Sequence, residues 1–190
     1  MANDTGNFGL RPARQLDGTP YNGAQNRYRI LKNYATAIFQ GDLVKTKADG
    51  TIERAGATDN PLVGVFNGVF YTDPTTQKPT FKNFYPGSVN ASDITAFVVD
   101  DPDAVFLMDA DDTFARADCF KNYSVTNATG NTKTGISEVQ LDVSVSGTNA
   151  SFVIQAMDIS QDPGNSATDS ANGNILVRIN KHFYRSGTGI

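Results

Sequence analysis

The chain has 190 residues, of which 39% are hydrophobic and 19% charged, and its formal net charge is −4. Seventeen Gly and eight Pro, with Asn, Thr and Ser filling much of the rest, favour turns and polar sheet faces over helices. The acidic balance argues against whole-surface attraction to nucleic acid. No apolar run approaches the roughly eighteen residues of a membrane-spanning helix, so no membrane is expected as a partner.

The opening MANDTGNFGL lacks the basic start and apolar centre of a secretory signal. A single cysteine, Cys119, leaves no intrachain disulfide. It reads as a small core residue, and the chain as one made in a reducing cytoplasm.

Residues 1–26 show neither a helical nor a strand period, because Gly6, Gly9, Pro12, Gly18, Pro20 and Gly23 interrupt every run. Phe8, Leu10, Leu16 and Tyr21 are scattered along the same stretch. Over residues 1–33 five basic side chains stand against two acidic ones, a balance of +3, so the remainder carries −7. This layout predicts an extended, basic N-terminal arm (1–26) on an acidic body (27–190).

Within the body, Tyr28–Leu31 reads as a first strand. Leu43–Lys47 and Thr51–Ala55 read as a hairpin, since Asp49-Gly50 supplies the positive φ angles of a tight turn. Leu62–Phe66 and Val69–Tyr71 are apolar runs too short for helices, with Gly64 and Gly68 marking a bulge or a close backbone approach. The polar stretch 72–92 is expected to project as a loop between two sub-modules, 27–71 and 93–190.

Ile94–Val99 and Val105–Met108 are β-branched or aromatic, and Asp100-Asp101-Pro102 breaks between them. A helical turn over Asp111–Phe120 is suggested by Phe114, Ala117 and Cys119. Val139–Val145 alternates apolar and polar, the turn Ser146–Ala150 follows, then Phe152–Ile159, a polar loop at 160–174, and Ile175–Ile179. About ten short strands at this spacing predict an all-β chain with a short-stranded β-barrel or β-sandwich body.

Reactive groups are few. The only histidine, His182, lies just past the last strand, where a catalytic triad would have to recruit it from near the C-terminus. A zinc site built on one His and one Cys would rest on carboxylates. Asp100, Asp101, Asp103, Asp109, Asp111 and Asp112 form the most chemical-looking cluster. Asp109, Asp111 and Asp112 are candidate oxygen ligands for a hard cation, but no calcium-hand pattern completes them, and aspartates at this density commonly cap turns. No phosphate-binding glycine loop occurs. The expectation is a non-enzymatic protein without metal or cofactor.

Phe8 to Arg14 (FGLRPAR) and Gly18 to Gly23 (GTPYNG) resemble the opening of head structural proteins of tailed bacteriophages. Ile38 to Val44 (IFQGDLV), the Asp49-Gly50 hairpin and Leu62 to Phe66 (LVGVF) with Gly68 and Val69 resemble the β module of phage head decoration proteins. Val99 to Pro102, Val105-Phe106 and Val177 to His182 (VRINKH) extend the likeness over most of the chain. The acidic residues at 109–112 depart from it.

The resemblance implies a β-tulip-like module and a decoration, or cement, role on the outer surface of the virion head, in a protein made in the host cytoplasm. It implies the major capsid protein and sister subunits, in a homotrimer, as partners. Phe8, Leu10, Arg11, Arg14, Tyr21 and Arg27 are then the expected contacts with capsid or sister subunit. Two other readings remain open. One is a virion adsorption or carbohydrate-binding module using Tyr71, Phe81, Phe84 and Tyr85; the other is a neck or tail structural protein.

Overall fold

Alternating burial along short strands builds two antiparallel sheets, which make the protein an all-β sandwich. The structure, a computed structural model, describes Asn3 and residues 6–148, 151–168 and 170–185. Sheet I takes the order β2 (Asn26–Arg29), β7 (Thr95–Val99), β5 (Gly64–Thr72), β3 (Leu43–Thr46), β4 (Ile52–Arg54), with β6 (Pro79–Lys82) paired to the far half of β5. Sheet II takes the order β1 (Arg11–Gln15), β8 (Ala104–Asp109), β12 (Asn174–Ile179), β11 (Ile154–Ile159), β9 (Asn122–Val125), β10 (Leu141–Gly147).

Sheet I is buried on both faces over part of its length, and the period of two explains how. Leu43, Val65 and Val99 point toward sheet II and join Phe106, Leu141, Ile154 and Val177 in one core. Their neighbours Val44, Phe66 and Val98 point the other way, into a second core with Ile30, Ile38, Tyr85, Val89 and Ile94. Each fully buried side chain of this size contributes on the order of 1.5–3 kcal/mol. A single parallel bridge, Ile30 to Ile52, draws the edges of sheet I together at one point. Sheet I thus curls without closing into a barrel.

The β3–β4 hairpin forms where Asp49-Gly50 predicts it. Gly50 has φ +79°, and the Asp49 carboxylate accepts the Thr51 N–H at 3.0 Å. Around Asp111–Phe120 the backbone makes one 3-10 turn, Arg116–Asp118, with Phe114 and Cys119 buried beside it. The alternation over Val139–Val145 holds through Leu141. The ladder with β9 then slips between Asp142 and Ser146, and Val145 is left exposed.

Two expectations about organisation are corrected. The first concerns the arm: residues 9–15 belong to the body. Leu10 is 2% exposed and sits in the core of sheet II, its N–H bonded to the Gly41 carbonyl at 3.0 Å. β1 then pairs antiparallel with β8. Gly9 and Pro12, which look like breakers in the sequence, make this seat possible. A Cβ on Gly9 (φ +66°) would meet the Gly41 oxygen at 2.7 Å, so only glycine allows the approach. Pro12 falls in an edge strand beside a bulge, where a missing donor is tolerated.

The second correction is to the projecting loop at 72–92. β6 pairs with β5, and Tyr85 is buried with its N–H and C=O both bonded to Ile38. Val89 and Ala91 are buried beside it, because the inner face of sheet I needs an apolar cover. Nor does the chain divide into modules 27–71 and 93–190, since β7 lies between β2 and β5.

Candidate functional site: an arginine–phenylalanine sheet face

The face of sheet I that carries Val99 and Val65 continues past the cover of sheet II. Cross-strand register places Arg27 opposite Phe97 and Phe97 opposite Gly68. The next row runs Arg29, Thr95, Phe70, Phe81. Alternation puts both rows on the same face as Val99, yet here Phe70 is 39% and Phe81 62% exposed.

The Phe81 and Phe97 rings lie 6.0 Å apart at 53°, and the Arg27 guanidinium stands 5.8 Å from the Phe97 centroid, within cation–π range. Gly68 makes room for this packing, since a Cβ there would come within 2.9 Å of the Phe81 ring. No described residue forms an ion pair with Arg27 or Arg29. Arg29 reaches the Thr95 hydroxyl only at 3.5 Å. At longer range it helps hold the half-buried Asp93 carboxyl below its ordinary pKa, behind the larger effect of the Thr72 hydroxyl. Contiguous aromatics, two of them exposed, with two guanidinium groups that form no ion pair among the described residues have the composition of a binding surface.

Of the residues singled out in the sequence, only Arg27 and Phe81 reach this face. Arg11 is exposed on β1, stacked 4.2 Å over the half-buried Phe8. Arg14 donates to the Gln15 carbonyl at 3.2 Å. Tyr21 packs against the sheet II core and its hydroxyl donates to the Ala24 carbonyl at 2.7 Å. Leu10, as a core residue, is removed from the contact set.

The aromatic platform Tyr71, Phe81, Phe84 and Tyr85 is not assembled. Tyr71 and Tyr85 are buried, and Phe84 stacks on Phe39 with centroids 5.4 Å apart. Phe70, Phe97 and Arg29 were missed as site residues. The available signal was Arg27-x-Arg29 in a strand, because residues two apart share a face.

The acidic candidates point to different places. Asp109 is buried, its Oδ2 accepts from Gln140 Nε2 at 2.7 Å, and burial pushes its carboxyl up to about 6. Asp111 accepts the Val143 N–H at 2.9 Å and is also raised by burial, while the exposed Asp112 accepts the Thr113 N–H at 2.6 Å. Among the described residues no group of three Asp, Glu, His or Cys could hold a metal ion.

Two further polar clusters act as fasteners. Asp42 is buried and accepts from the Phe39 N–H at 2.8 Å and the Ser137 hydroxyl at 2.6 Å, with Arg54 Nε 3.0 Å away. Burial raises the Asp42 carboxyl, against the pull of Arg54. This node ties β3 and β4 to the crossing segment near 137.

At the other end His182 is 2% exposed and its Nδ1 accepts the Tyr184 N–H at 3.2 Å. Burial lowers the His182 pKa. Tyr28 donates to Asp100 at 2.5 Å and shares a 2.5 Å hydrogen bond with Tyr184, pinning the segment around Tyr184 to β2; burial and then the Asp100 bond raise its phenol. No described hydroxyl or thiol bonds to the His182 ring, and burial raises the Cys119 thiol. Comparisons with family models, curated proteins and solved structures gave no match.

Proposed function

We propose that the chain is a non-catalytic structural protein that docks onto a larger protein surface through the uncovered end of sheet I. The observation that carries this is the continuation of a core-type sheet face into the open, with Phe70 and Phe81 exposed and Phe97 half-buried beside Arg27 and Arg29. Removing apolar surface of this kind from water is favourable, and guanidinium groups without an ion pair among the described residues add direction through carboxylate contacts.

The sequence resemblance supplies the setting: a decoration, or cement, protein on the outside of a tailed-phage head. Its partners would be the major capsid protein and sister subunits in a homotrimer. The exposed Arg11, with Phe8, Arg14 and Tyr21, lies along sheet II, outside this docking surface. Many copies on one shell make modest contacts sufficient through avidity. No metal or cofactor takes part in this role.

Co-sedimentation of the purified chain with expanded heads of the phage that encodes it tests the proposal. Saturable binding, with ordered copies on the lattice by electron microscopy, is expected. A chain that stays in the supernatant at every concentration overturns it.

A further inference from the structure

The strand edges of this molecule are not equally protected. β1 carries Pro12 and a bulge, and the β10 ladder slips over three residues. β4 has three residues, and β6 begins on Pro79 and ends on Lys82. These are the usual ways of stopping a sheet from recruiting a foreign strand. β2 (Asn26–Arg29) has no proline, and its register with β7 runs unbroken. Over Asn26–Arg29 no described strand pairs with its outer side; β4 touches only the next residue, at the Ile30–Ile52 bridge.

We propose that this open side of β2 takes up an extended segment of the partner as a further strand of sheet I, and that the segment presents carboxylates at alternate positions to Arg27 and Arg29. The proposal rests on the docking reading above for the existence of a partner, and it names that partner's chemistry. Arg27 and Arg29 are two residues apart and share the exposed face, so a strand laid beside β2 sets its own alternate side chains next to them. Acidic residues there meet two guanidinium groups that have no ion-pair partner among the described residues.

Basic or apolar residues would meet uncompensated charge. The same arginines act against a second copy of β2, because antiparallel pairing about Tyr28 sets Arg27 opposite Arg29. Phe97, Phe70 and Phe81 extend the surface inward from the strand, giving apolar residues of the segment somewhere to rest. The occupant is therefore an acidic extended strand, joined through backbone hydrogen bonds and selected by charge.

The test uses fluorescently labelled poly-L-glutamate and the full chain at low salt, read by anisotropy, with amide exchange measured on the complex. A chain of net charge −4 repels this probe overall, so binding requires a local basic face. The expected result is binding that weakens about tenfold or more in the double variant R27E/R29E and changes by less than about twofold in R11E. Amide exchange at residues 26–29 should slow in the complex. Absence of binding, indifference to R27E/R29E, or binding without slowed exchange at 26–29 each overturns the strand-addition proposal. The docking reading is judged separately by head co-sedimentation, where wild-type binding keeps it standing if poly-L-glutamate fails.

Discussion

β1 and β2 come from the same basic opening of the chain, and each is a short edge strand with two arginines. Their fates differ. β1 is fastened by Leu10, which enters the sheet II core just before the strand begins, and Arg11 and Arg14 settle on Phe8 and the Gln15 carbonyl. β2 is fastened from behind, by Tyr28 and Asn26 on Asp100, so its arginines stay in front, Arg27 beside the half-buried Phe97. A basic, glycine- and proline-rich segment is thus not an arm by composition. Whether its apolar residues find a place in the chain's own core decides whether it reaches outward.

That contrast can be broken at β1 with the largest effect. Leu10→Ala should cost about 2–5 kcal/mol of stability in urea unfolding, as expected for a fully buried leucine. A cost under about 0.5 kcal/mol, the level of a surface change, would return the segment to the status of an arm.

The pH dependence of the same edge comes next. Asp109 lies in the field of Arg11, and burial raises its carboxyl from 3.8 to about 6. An acid with a raised folded-state pKa holds its proton more tightly folded than unfolded. Its stabilising contribution is full below about pH 4 and is lost as pH rises through about 6. Relative to Asp109→Asn, wild type should lose on the order of 2–3 kcal/mol between those limits. Parallel pH profiles for the two proteins would remove Asp109 from the picture.

Gly9→Ala should cost about 1–3 kcal/mol, since the added Cβ needs both the +66° φ and the space held by the Gly41 oxygen. The smallest effect belongs to β2. Arg27→Ala should leave stability within about 0.5 kcal/mol, because its exposed side chain forms no ion pair among the described residues and its guanidinium stands 5.8 Å from the Phe97 centroid. A larger loss would make Arg27 a fastener like Leu10.

Much of the sheet structure was legible in the sequence. The Asp49-Gly50 turn, the apolar, β-branched or aromatic runs of β7, β8 and β12, and the all-β class follow from local chemistry. The seat of Leu10 was not legible, because it depends on the approach of Gly9 to Gly41, which lies 32 positions away in the chain. The cover formed by Tyr85 and Val89 was hidden for the same reason: turn-rich segments become buried only when a sheet face needs them. β9 (NYSV) carries too few apolar residues to announce itself as a strand. At the candidate surface, Arg27 was legible as a charge and Phe97 as a strand residue. Their exposure follows from where sheet II stops covering sheet I, a property of the whole fold.

The most direct measurement is binding of charge-reversed chains to the expanded heads. R27E/R29E should fold normally and lose head occupancy, while R11E should load like wild type. Full occupancy by R27E/R29E, or loss confined to R11E, would contradict the assignment of the contact to the uncovered face of sheet I.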